Sequence, residues 1–127
     1  MITVAELKPK VFREAANIVN RGWCDRSWAE DKKGNEVKFS DDNACRFCSI
    51  SSIYRATLNL IVERDDVSKE VMEGAVNGCI EDMFDYIRVK NAQGKTDIDS
   101  KIDTISHWNQ EVTQEKVVNK LLQLSIA

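Results

Sequence analysis

Apolar residues recur at helical spacing along several stretches of the chain, and capping or turn residues fill the gaps between them. In the first stretch, Val4, Leu7, Val11, Ala15, Ile18 and Val19 place one apolar stripe on a helix reaching about Asn20. Thr3-Val4-Ala5-Glu6 has the pattern of a capping box, in which Thr3 and Glu6 satisfy each other's free backbone donors. Pro9 lacks an N–H and crowds the preceding turn, so the alternative start lies nearer Lys8. Gly22 is expected to close this helix in the left-handed conformation.

From Trp23 to Phe39 the helical period disappears. Asp31-Lys32-Lys33-Gly34-Asn35 is a turn signal between Ser27-Trp28-Ala29 and Glu36-Val37-Lys38-Phe39, which predicts a short β-hairpin packed on the helices. Ser40-Asp41-Asp42-Asn43 then supplies an N-cap and first-turn acids for a long second helix to about Glu63. That helix carries a small-residue stripe (Ala44, Cys45, Cys48, Ser51, Ser52, Ala56), with bulk at Phe47, Ile50, Ile53, Tyr54, Leu58 and Ile61.

Ser68 caps a third helix, in which Val71, Ala75, Cys79 and Met83 form one apolar row and Met72, Val76, Ile80 and Phe84 the next. Glu73, Asp82, Asp85 and Arg88 lie away from these rows. Gly74 and Gly78 each cost about 1 kcal/mol relative to Ala in a helix interior, which calls for a close helix approach, here expected against the small stripe of the second helix. Gly94 breaks the pattern, Ile98, Ile102 and Ile105 mark a shorter helix ending near Trp108, and Thr113 caps a last one with Val117, Val118, Leu121, Leu122 and Ile126. With no internal repeat or linker, the expectation is a single domain, 1–127, that is mainly α: a compact bundle of about four to five helices with one small β-hairpin.

Composition narrows the function classes. At 43% hydrophobic and 31% charged, the 127 residues suit a folded domain rather than a disordered chain. The net charge of −3 does not provide the basic face that general duplex nucleic-acid binding requires. Lys8, Lys10 and Arg13 read as a solvated helix face. No apolar run has membrane-spanning length and MITVAELKPK lacks a secretory pattern, so a cytoplasmic location and reduced thiols are expected.

Arg21-Gly22-Trp23-Cys24, Ala44-Cys45-Arg46-Phe47-Cys48-Ser49-Ile50-Ser51-Ser52-Ile53 and Trp108-Asn109-Gln110 before Thr113-Gln114-Glu115-Lys116-Val117 together resemble a family of small uncharacterised domains found in phage and bacterial proteins. Its members show a Gly-Trp pair, a helix opening with Ala, Trp-Cys and Gly-Ala, and a Trp-Asn-Asp tripeptide before a C-terminal helix. Here Phe47 stands where the family tends to have Trp, Ser51-Ser52 where Gly-Ala is usual, and Gln110 where Asp is usual. The resemblance implies the architecture and a phage or bacterial origin, and carries no catalytic residues.

Chemistry-bearing residues are few. On a helix, Cys45-x-x-Cys48 would set two sulfurs on one face, a half-site for tetrahedral zinc that Cys24, Cys79 and the single histidine, His107, could complete. Strong zinc signatures have two closely spaced ligand pairs, and free cysteines are commonly core residues, so the expected cofactor is none, with zinc the alternative. A redox dithiol would need a βαβ setting, which is absent. A Cys–His nucleophile with Asn109 as orienting group is formally available but has no local signature. Asp97, Asp99 and Asp103 lack the glycine and the oxygen ligand near Lys101 that a calcium loop needs, and Glu81, Asp82 and Asp85 read as a solvated face.

Trp23, Arg26 and Trp28 on a non-helical connection have the composition of an interface hot spot, though large aromatics also serve to pack such a connection onto a core. With Arg46, His107, Trp108 and Asn109 they make up the expected binding residues. The sequence therefore leads to a non-enzymatic binding or interaction protein, in the phage setting an accessory or anti-defence factor acting on a host or phage protein. The alternatives are a zinc- or thiol-dependent module at Cys45 and Cys48, or a protein that sequesters a small ligand. Self-association is compatible with any of them.

Overall fold

A computed structural model describes residues 1–62, 64–87 and 97–126. The expected positions Glu63, Arg88 and Gly94 lie outside them. Five helices and one two-stranded antiparallel sheet occur among the described residues, in the order α1 (Val4–Arg21), β1 (Ala29–Glu30), β2 (Arg46–Phe47), α2 (Ser49–Ile61), α3 (Lys69–Ile87), α4 (Ile98–Glu111) and α5 (Gln114–Ser125). The fold is mainly α, as its periodicity requires. Helix α1 packs against α2, α3 and α5, while α4 closes on α2 and α3.

Helix α1 starts at Val4 despite Pro9. Thr3 Oγ1 accepts from the Glu6 N–H at 3.2 Å while Glu6 Oε1 accepts from the Thr3 N–H at 3.3 Å, completing the capping box. Pro9 leaves the Ala5 carbonyl without its helical donor, but Ala5 is exposed and water can replace the bond. Burial of Leu7, Val11, Phe12, Ala15, Ile18 and Val19 then holds the helix in the core. Gly22 is not left-handed: its φ of −171° is ordinary extended backbone. It is glycine for space, because a Cβ there would lie 2.0 Å from the Cys45 carbonyl oxygen.

The hairpin forms with a different partner from the expected one. Ala29 and Glu30 pair with Phe47 and Arg46, while Glu36–Phe39 contributes only a bridge at Glu36 and a Val37 N–H bond to the Ala29 carbonyl. The Asp31–Asn35 turn does close, with Asp31 Oδ1 accepting from the Lys33 and Asn35 N–H groups and Gly34 at φ 84°. Beyond it the chain leaves β1, because Phe39 packs on the Tyr54 ring at 5.3 Å between centroids.

The second helix is correspondingly shorter than expected. Asp41 caps a turn (Asn43 N–H to Asp41 Oδ1, 2.8 Å) instead of a helix, and the chain to Phe47 is extended. Cys48 is the N-cap of α2: its Sγ accepts from the Ser51 N–H and Ser51 Oγ accepts from the Cys48 N–H. Two further corrections concern packing. Gly74 and Gly78 admit Val4 and Lys8 of α1, not the small stripe of α2. On α5, Leu122 and Ile126 are exposed, and Leu124 joins Val117 and Leu121 in the core. Helix α4 also continues beyond Trp108, to Glu111.

Candidate functional site

Trp23, Cys24 and Asn109, three of the residues singled out in the sequence, meet in one buried polar knot. Asn109 is 1% exposed. Its Oδ1 accepts from Trp23 Nε1 (3.1 Å), the Ser49 N–H (3.0 Å) and Ser49 Oγ (2.6 Å), and its Nδ2 donates to the Cys24 carbonyl (3.1 Å). One side chain on α4 thus ties the segment after α1 to the first turn of α2. Every polar atom of the Asn109 amide is engaged, and with the Trp23 indole N–H it holds these elements together. Trp108 beside it packs partly buried against the core.

The other residues disperse. His107 is exposed and faces Asp103, one turn back on α4, at 4.0 Å. Arg26 is exposed, and Arg46 pairs with Glu30 at 3.3 Å. Cys45 and Cys48 do not share a helix face, since Cys45 precedes β2 and Cys48 caps α2; the geometric premise of the dithiol and zinc half-site is lost. Among the described residues, no three His, Cys, Asp or Glu side chains gather in a way that could hold a metal ion.

Three thiols are also poorly suited to nucleophilic work. Burial, with added repulsion from Cys48, Glu30 and Asp25, pushes Cys24 up to about 12. Burial raises Cys48 and Cys79 as well. A thiolate nucleophile needs the opposite shift.

The feature that sequence reasoning missed is a groove between α2 and α3. It encloses about 430 Å³ and is lined by Phe39, Tyr54, Thr57, Leu58, Ile61, Met72, Glu73, Val76 and Asn77. Tyr54 is part of an aromatic cluster on this lining, stacked with Trp28 at 5.8 Å and in tilted contact with Phe39 at 5.3 Å. Burial and then the Asp99 charge hold the Tyr54 hydroxyl above its usual range, so it remains a hydrogen-bond donor. A shallower depression lined by Trp28 and Glu36–Ser40 adjoins the groove through the shared Phe39. Tyr54, Met72 and Phe39 are apolar positions like many others in the sequence, and nothing local distinguishes those that line a groove from those that fill a core.

Among the described residues, no helix is long and apolar enough to cross a membrane. Neither the curated proteins nor the solved structures include a match to this chain. A family model does match, over residues 5–124, and its description is a family of unknown function, DUF6197. The match covers both strands and all five helices but for the first residue of α1 and the last of α5, and the chain therefore belongs to the DUF6197 family.

Proposed function

We propose that this is a non-enzymatic binding protein whose recognition surface is the α2–α3 groove together with the Trp28–Tyr54–Phe39 stack. The observation that carries the reading is the groove itself: about 430 Å³ and apolar-walled, with Tyr54, Asn77 and Glu73, the last facing Lys69 at 4.0 Å, as the polar groups a ligand could meet among the described residues. Sites of this size with few convergent polar groups are typical of binding pockets. Continuity with the neighbouring depression makes the surface elongated, which suits an apolar stretch of a protein partner. In the phage setting implied by the sequence resemblance, that partner is a host or phage protein. The raised thiols and the dispersal of His107 from the cysteines support a binding role over catalysis.

A second reading, sequestration of a small apolar molecule, is favoured by the volume of the groove alone. Native mass spectrometry of the purified protein separates the two, because a retained small molecule adds a reproducible mass. Selection of a random-peptide library on the protein tests the first. The expected result is convergence on peptides with spaced apolar or aromatic residues, whose binding is lost in Met72→Glu and Leu58→Glu and weakened in Trp28→Ala. Convergent peptides that bind all three variants equally would remove the groove as the recognition surface.

A further inference from the structure

A second cavity, of about 290 Å³, lies where the end of α1, the approach to β2 and the outer face of α2 meet, and is lined by Ile18, Arg21, Ala44, Cys45, Phe47, Arg55 and Asn59. We propose that it binds a small oxyanion carrying an apolar group. The proposal does not depend on the α2–α3 groove.

The charge balance of this cavity is one-sided. Arg21 and Arg55 both line it, and among the described residues neither guanidinium has a carboxylate within ion-pair distance. Arg55 is held in place without being neutralised. Its Nη1 donates to the Phe39 and Asp41 carbonyls at 2.8 and 2.9 Å, its Nε donates to Asn59 Oδ1 at 3.3 Å, and its plane lies over the Phe47 ring at 5.7 Å. Three of its five N–H donors are used in this way, leaving both on Nη2 without a partner among the described residues. A guanidinium fixed beforehand loses little entropy on binding, and its planar fork suits a carboxylate or phosphate.

The surroundings do not cancel this charge. Of the carbonyls at the end of α1, its negative pole, those of Val19 and Asn20 accept from Gln114 Nε2 and that of Ile18 from the Gly22 N–H. The junction is itself rigid, because the Phe47 N–H donates to the Gly22 carbonyl at 3.1 Å, the Cys24 N–H donates to the Phe47 carbonyl at 3.3 Å, and Gly22 sits directly on Cys45. Ile18, Ala44 and Phe47 give the cavity an apolar side. At about 30 Å³ per water-sized group, the volume takes roughly ten non-hydrogen atoms, an oxyanion and an aryl-sized body.

Cys45 reports on occupancy, since it is the half-buried thiol and Cys24, Cys48 and Cys79 are buried. The experiment follows the rate of Cys45 alkylation by iodoacetamide, a neutral reagent, in the full chain. Phenyl phosphate and benzoate are each expected to slow the reaction saturably, and their order tells which oxyanion the site prefers. Benzyl alcohol, which has the apolar body without the charge, is expected to give no protection. Arg21→Gln leaves every hydrogen bond described above intact and should weaken protection about tenfold or more, the worth of a charge-assisted bond. Arg13→Gln, on the same helix outside the cavity, should not. Absence of protection by both anions, equal protection by benzyl alcohol, or unchanged protection in Arg21→Gln would each overturn the proposal.

Discussion

Replacing Asn109 with leucine keeps the number of side-chain heavy atoms and removes every hydrogen bond of the knot that joins α4, α2 and the segment after α1. The groups left behind are the Trp23 indole N–H, the Ser49 N–H and hydroxyl, and the Cys24 carbonyl. A buried donor or acceptor stripped of its partner costs about 1–3 kcal/mol. Ser49 is fully buried and its N–H cannot turn elsewhere, so it bears the full penalty. Its hydroxyl can rotate, and half-buried Trp23 can partly recover water. Discounting those two, the Ser49 N–H and the Cys24 carbonyl bring the loss to about 2–6 kcal/mol, against about 5–15 kcal/mol for the stability of a whole domain. Trp23→Phe removes only one donor and leaves Asn109 Oδ1 with two others, so it should cost about 1–2 kcal/mol. Urea unfolding followed by far-ultraviolet circular dichroism measures both, and the double mutant gives their coupling. If Asn109→Leu costs under about 1 kcal/mol, the knot is not what ties these elements together.

Other outcomes follow from the same packing. Gly22→Ala should destabilise by more than about 3 kcal/mol, because the new Cβ meets backbone that cannot rotate away; thermal unfolding checks it. Gly74→Ala and Gly78→Ala each set a gain in helix propensity of about 1 kcal/mol against a close contact with α1. The first presses on Val4 Cγ2 at 3.0 Å, a stiff β-branched side chain, and should be neutral to destabilising. The second meets the Lys8 Cδ at 2.9 Å in a side chain whose ammonium is held by Asp82 at 2.6 Å, so the helix propensity gained, about 1 kcal/mol, should show in full only in a Lys8→Ala background.

Alkaline pH gives a further outcome. The unfolded chain releases the Cys24 proton near 9.0 whereas the fold holds it to about 12, so this thiol's contribution is complete below pH 9 and falls as pH rises towards 12. Buried Cys48 and Cys79 shift in the same direction and add to the decline. Unfolding free energy measured from pH 8 upward should fall more steeply in the parent than in Cys24→Ala.

How far each feature was legible depends on how local its cause is. The capping box at Thr3 and Glu6 and the caps at Ser68 and Thr113 involve residues three apart, and the structure shows all of them. The apolar rows of α1 and α3 face the core as their period requires, with Leu7, Val11, Ala15, Ile18 and Val19 buried on α1 and Ala75, Val76, Cys79, Ile80 and Met83 on α3. The stretch from Trp28 to Cys48 could be read two ways, because Asp41 and Cys48 are both able to cap a helix and small residues fit either a helix stripe or a strand. Long-range bonds decided it: the Cys48 N–H to the Trp28 carbonyl, and the Phe47 N–H to the Gly22 carbonyl. That choice took Cys45 off the helix, and with it the apparent dithiol.

The family, the helical class and most helix ends were thus determined by the sequence alone, because periodicity and capping act within a turn or two of the chain. Tertiary structure decided which strand pairs with β1, why Gly22 has no side chain, and that Asn109 is spent on three elements at once. It also decided where the surface is left hollow. The α2–α3 groove and the cavity between Arg21 and Arg55 are gaps between elements, and a gap is a property of how helices meet rather than of any one of them.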